Sequence, residues 1–267
     1  MIRIVATLLI TLVLGGCAAA GGVPAGGNAA ASADRPMSEL PPATAADARA
    51  KVHVDMGMAY FQVGRYDVAL DEARAALAQQ GSYSPAFHLM GLVYMYIDDL
   101  PAARANFERA LGLAPNDPDF NNSYGWFQCA TGQEREGLER LAVAARNPYY
   151  GTPTRPHTNA GLCHLRLKDD AAAEAQFRRA VQLDPANVQA LFHLAGIAYR
   201  RGAYEQARVF LVQLHQQREP TAESAWLGLR TERKLGNRDA ESSYAAQLRG
   251  RFADTVEFQN MKQGRYE

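Results

Sequence analysis

Residues Phe87 to Pro115 read FHLMGLVYMYIDDLPAARANFERALGLAP. Met90, Gly91 and Tyr94 fall at helical spacing, a turn follows at Asp98 and Asp99, and Ala103, Phe107 and Ala110 then recur at intervals of four and three. The spacing predicts two amphipathic helices back to back. Gly91 leaves room for the second helix to cross close by, and Tyr94 fills the space beside it. The second stripe is small at the crossing and large where a gap must be filled. Pro115 cannot continue a helix, so it closes the unit. One hairpin of this kind cannot bury both its faces, so copies are expected.

The copies occur at a fixed period. Gly57, Gly91 and Gly125 are 34 residues apart, and Gly161 follows after 36, the two extra residues falling in the stretch NPYYGTP from Asn147 to Pro153. Ala195 stands in the glycine place 34 further on, with Gly202, Tyr204 and Ala207 marking the turn and second helix of its unit. A sixth, weaker unit has its turn at Gly236. In period and in small/large pattern the units resemble the tetratricopeptide repeat. The resemblance implies an all-α fold, a right-handed superhelical solenoid of about six helix-turn-helix repeats. Turns are expected at Gly64-Arg65-Tyr66, Asp98-Asp99-Leu100, Gly132 to Glu134, Lys168 to Asp170, Gly202-Ala203-Tyr204 and Gly236-Asn237-Arg238.

With 267 residues, 48% of them hydrophobic and 21% charged, the chain has ample material for a core. The formal net charge is zero, which argues against a nucleic-acid partner, since phosphate binding needs an excess of Lys and Arg on one face. Residues 1–16 read as a leader, with Arg3 ahead of an apolar run from Ile4 to Leu14 that is too short to span a bilayer. The run closes in Leu14-Gly15-Gly16-Cys17, which resembles the lipobox of bacterial lipoproteins and implies lipidation of Cys17; Ala18 after it favours sorting to the outer membrane. The alternative is an ordinary secretory leader with a chance cysteine. Residues 17–47 are rich in Ala, Gly, Pro and Ser and read as a flexible tether that spans roughly 30 Å. The repeats are expected over 48–253, with a polar C-terminal cap or tail, ending in a frayed helix, over 254–267.

No GxSxG, GxxxxGK[ST], HExxH or helix-opening GxGxxG pattern is present, so the expectation is a protein without catalytic residues, metal or cofactor, and without a small-molecule substrate. Cys129 and Cys163 are 34 residues apart on the first helices of neighbouring repeats. In a compartment that permits disulfides, a bridge is the preferred reading, with two buried thiols, or zinc together with His164 or His157, as alternatives. The repeat resemblance also implies that a second stripe on the first helices faces a concave groove. Here it comprises Val54, Met58, Phe61, Leu92, Met95, Tyr96, Asn122, Trp126, Leu162, Leu165, Phe192 and Tyr199. A groove with exposed Met and aromatic residues suits an amphipathic helix or an extended segment of a partner, while the plainer alternative is a fringe of the core. Val54 and Met58 stand where a carboxylate clamp of Lys and Asn would be, so a clamp is not expected.

NNSYGW with Cys129, NAGLC with Cys163, and LGLR followed by SYAAQLR, together with the lipobox, resemble the PilW/PilF family of type IV pilus biogenesis lipoproteins. Departures are Ala253, where the family has Pro, and Asp98, where a Gly is usual. The resemblance implies an outer-membrane pilotin, attached to the membrane through its lipid only, that helps a secretin subunit multimerise and localise and so supports twitching motility. It also implies a Cys129–Cys163 bridge, with Met58, Phe61, Leu92, Met95, Tyr96 and Trp126 as the residues for partner contact. The alternative function is a lipoprotein adaptor that docks periplasmic peptidases or peptidoglycan hydrolases.

Overall fold

A computed structural model describes residues 35–266; the leader, Cys17 and the tether up to residue 34 lie outside the described residues. Among the described residues the regular structure is entirely helical, and thirteen helices follow one another as α1 (Ala45–Gln62), α2 (Tyr66–Gln79), α3 (Ser84–Tyr96), α4 (Leu100–Leu113), α5 (Pro118–Ala130), α6 (Glu134–Arg146), α7 (Thr154–Arg166), α8 (Asp170–Leu183), α9 (Val188–Arg200), α10 (Tyr204–Gln217), α11 (Ala222–Leu235), α12 (Arg238–Arg251) and α13 (Val256–Lys262). The first twelve form six hairpins. Consecutive first helices touch one another along the stack, whereas consecutive second helices do not. The stack is therefore curved, with the first helices α1, α3, α5, α7, α9 and α11 on its inner face.

Each hairpin turns on one left-handed residue: Gly64, Asp98, Gly132, Lys168, Gly202 and Gly236 all have φ between 60° and 85°. The amide that follows each of them reaches back five residues to close the helix, as in Asp99 N–H to the Tyr94 carbonyl at 2.9 Å and Asp169 N–H to the His164 carbonyl at 2.9 Å. Side-chain caps then start several second helices: Asp99, Asp169 and Asn237 each accept the amide three residues on. Within α3 and α4 the crossing is as the spacing predicts. A Cβ on Gly91 would lie 2.7 Å from the Phe107 ring, so glycine lets Phe107 fill the crossing, and Phe107, Ala103 and Ala110 are fully buried.

Two boundaries differ from the sequence expectation. The solenoid opens at Ala45, where Thr44 and Asp47 cap each other reciprocally. The tether expected up to residue 47 therefore gives way earlier, and its last described part, residues 35–43, is docked on the body. Pro36 is buried, and Met37 packs against the cluster that includes Phe120. The two are among the few bulky residues in a Gly/Ala/Pro stretch, and Met37 finds apolar cover on repeats distant in sequence. At the other end, α13 is more than polar: Phe258 and Met261, with Tyr266 beyond it, pack on Trp226 and Leu248 and cover the last repeat.

Candidate functional site

The inner face carries an open cleft of about 740 Å³. One wall is apolar and comes from repeats one to three: Met58 and Phe61 on α1, Leu92, Met95 and Tyr96 on α3, and Trp126 on α5. Phe61 meets Tyr96 edge-on with ring centroids 5.0 Å apart, and Tyr66 lies 5.7 Å from Tyr96. These contacts fix the rim while Tyr96 remains 63% exposed. The edge-on geometry aligns the positive ring edge with the negative face, and such a pair holds its place without filling the cleft.

The opposite wall is polar and comes from repeats four and five: Thr154, Arg155, Thr158 and Asn159 on α7, then Asn187 and Gln189. Sequence reasoning did not single these out, because Thr154 and Arg155 stand at a helix start, where polar residues ordinarily serve as caps. A ladder of side-chain hydrogen bonds ties the first helices together beneath the cleft. His88 Nε2 and Ser123 Oγ are 2.9 Å apart, Asn159 Nδ2 donates to Asn122 Oδ1 at 3.0 Å, and Asn187 Nδ2 donates to Thr158 Oγ1 at 3.0 Å. The signal for the ladder is a recurring polar pair ahead of the repeat glycine: Asn122 and Ser123 before Gly125, and Thr158 and Asn159 at the equivalent places before Gly161.

Burial sets the titration of the groups below the cleft. It pushes the His88 imidazole down to about 3, assisted by the Arg155 charge, so His88 is neutral in the fold. Desolvation raises the Asp117 carboxyl to about 6, against the hydrogen bonds it accepts from Met37 and Phe120. Asp119 is also raised by burial and is opposed by Arg155, whose guanidinium lies 3.8 Å away.

Cys129 and Cys163 form a disulfide, with Cα atoms 5.5 Å apart, that joins α5 to α7. The bridge consumes both thiols, which removes the zinc and free-thiol alternatives. Trp126 packs against the cluster of Cys129, Leu141, Ala160 and Cys163, so the bridge supports one side of the cleft from behind.

Of the residues expected along the groove, Met58, Phe61, Leu92, Met95, Tyr96, Asn122 and Trp126 line this cleft. Asn122 is only 1% exposed and spends its carbonyl on the ladder, so it shapes the floor. Val54 is buried and borders a smaller cavity next to the cleft. Leu162 and Leu165 pack into the core of repeats four and five instead. Phe192 lines a separate cleft with Leu214 and Arg218. Tyr199 lies under the Arg230 guanidinium at 4.9 Å, within the last two repeats. Among the described residues no helix is long and apolar enough to cross a membrane.

Paired helices at a fixed period and a groove on the inner face define a tetratricopeptide-repeat protein. Models of the tetratricopeptide repeat match residues 84–117 and 164–231. The type IV pilus assembly protein PilF of Pseudomonas aeruginosa is 25% identical over 210 residues, which are 79% of this chain and 83% of that protein. The crystal structure of PilW, described as a widely conserved type IV pilus biogenesis factor, superposes with a TM-score of 0.73 at 26% identity, over 80% of this chain and 98% of that one. The structure of Pseudomonas aeruginosa PilF shares the fold with a TM-score of 0.77 at 24% identity, over 83% of this chain and all of that one. Over about four fifths of its length the chain is thus similar to the type IV pilus proteins PilF and PilW.

Proposed function

We propose that this protein is the pilotin of its pilus machine: an outer-membrane lipoprotein, anchored through Cys17, whose groove binds a secretin subunit and assists its multimerisation and localisation. The observation that carries this reading is the gathering of Met58, Phe61, Leu92, Met95, Tyr96 and Trp126 on one wall of an open cleft, opposite a polar wall. An apolar strip facing amide and hydroxyl groups suits an amphipathic segment, which buries one face and keeps hydrogen bonds on the other. Trp126 and Tyr96 are of the residue types that dominate binding energy at protein interfaces. Its action is that of a scaffold. A groove held at the membrane raises the local concentration of its partner there, and assembly is accelerated without any covalent step.

The test is the double substitution Trp126→Ala with Met95→Ala. It removes two large contacts from the wall, and heat-resistant secretin multimers and twitching are expected to fall while the melting transition of the purified protein stays cooperative. Normal multimer levels in that strain would remove the groove from the account.

A further inference from the structure

The lower end of the groove is occupied by the chain itself. Pro36 to Glu39 form a single turn in which the Glu39 amide donates to the Pro36 carbonyl at 2.9 Å. Pro36 is buried, and Met37 packs on the cluster containing Phe120 and Tyr124. The Met37 amide donates to Asp117 Oδ2 at 2.7 Å, while Oδ1 of the same carboxylate caps α5 through the Phe120 amide at 2.9 Å. Lys51 Nζ reaches the Ser38 carbonyl at 3.1 Å, and the Arg35 guanidinium lies 4.9 Å from the centre of the Tyr149 ring. Ser38 borders a cavity of about 140 Å³ with Val54, Met58, His88, Leu92 and Arg155. Met58, Leu92 and Arg155 also line the main cleft, so the turn sits in the same groove.

The contacts are those of a bound peptide. One long apolar side chain enters the floor, a proline ahead of it is buried, and one backbone amide meets a buried carboxylate eighty positions away in sequence. Nothing covalent or helical holds this turn to repeat three. The receiving side is shaped independently of it: α5 and its cap form from their own residues, and the cap uses only one of the two carboxylate oxygens. The other oxygen is buried and needs a donor, since an unpaired buried acceptor is costly.

We propose that this floor is a peptide-docking site, that the Pro36–Glu39 turn is its intramolecular ligand, and that a partner reaching the floor displaces the turn with the same chemistry: a proline followed by a long apolar residue whose amide meets Asp117. The displacement rests on the partner-binding reading of the groove; the docking of the turn does not.

The test uses the full chain and a fluorescent peptide with the sequence of residues 33–43. Met37→Gly withdraws the anchoring side chain, and this variant is expected to bind the added peptide at least tenfold more tightly than the unaltered chain does. Adding Asp117→Asn keeps the cap through its carbonyl oxygen but turns an amide donor toward the incoming amide, and the gain is expected to disappear. In the unaltered chain the Met37 amide should exchange its hydrogen at least tenfold more slowly than in Asp117→Asn, yet faster than the interior amides of α5. Equal peptide binding by the unaltered chain and Met37→Gly, or none by Met37→Gly, would overturn the proposal. So would loss of the folding transition in Met37→Gly, or Met37 protection equal to that of α5, since either makes the turn a fixed part of the fold. None of these measurements involves a secretin, so their failure is separable from failure of the pilotin reading.

Discussion

Repeats two and three have the same backbone plan and different fillings. In repeat two the crossing of α3 and α4 is filled by Phe107 against Gly91, with Ala103 at the close approach, so the crossing itself is apolar. In repeat three Leu141 stands in place of Phe107 and Gly137 in place of Ala103, and Asn121, Asn122, Ser123 and Gln128 are all buried. A Cβ on Gly137 would lie 2.6 Å from Cys129 Sγ and from the Gly125 carbonyl oxygen, so the two helices meet backbone to backbone with the bridge sulfur beside them. Repeat two is held by shape and apolar burial, whereas repeat three uses a covalent bond and a polar ladder. The repeat that departs from the pattern is the one that presents Trp126 to the cleft.

The largest test of this contrast is to remove the bridge. Cys129→Ala with Cys163→Ala should cost about 3 to 4 kcal/mol of unfolding free energy, from the entropy of the loop it closes. Denaturant unfolding with and without reductant checks it, and an unchanged midpoint would mean that the ladder alone holds repeat three. Next comes Gly137→Ala, which forces a methyl group into the backbone contact and should cost about 1 to 3 kcal/mol. The same methyl is already present as Ala103 in repeat two, so a neutral result would erase the difference between the two crossings.

The third test is pH. His88 is held neutral to about pH 3 in the fold and His193 to about 4, both by burial. The unfolded chain takes up these protons first, beginning near 6.5, so the stability that each contributes is present above that pH and is lost as pH falls toward the folded value. Each should lower the unfolding free energy by up to about 1.4 kcal/mol per pH unit in this window. Asp117 acts in the opposite sense: raised to about 6, it takes its proton in the folded state first and offsets part of the loss between 6 and 3.8. His88→Gln should flatten the acid limb of a stability profile, and an unaltered slope would place the sensitivity in repeat five.

The solenoid is legible in the sequence because its cause is local and periodic. Gly91 with Phe107, and a turn residue every 34 or 36 positions, can be read from spacing alone, and even Asp98 and Lys168 adopt the left-handed turn that glycine adopts elsewhere. The cleft is legible in part. Met58, Leu92, Met95 and Trp126 lie on the predicted stripe, whereas Thr158, Asn159 and Asn187 act through partners in other repeats and show no apolar pattern. Leu162 and Leu165 share the stripe's spacing but face the next repeat, since helical periodicity marks a face without saying what covers it. The docked turn is not legible at all. Pro36 and Met37 stand nearly alone in a low-complexity stretch, and the group that fixes them, Asp117, reads as a helix cap.

The disulfide lies at the midpoint of the stack, between the third and fourth of six hairpins. In a one-dimensional array each unit leans only on its neighbours, so loss of order enters at the ends and moves inward. Fraying from either end meets a covalent stop after two units. The two halves can melt separately, but neither can peel away from the other, and a chain pulled or partly unfolded from one terminus keeps a paired nucleus at its centre from which both directions can rewind.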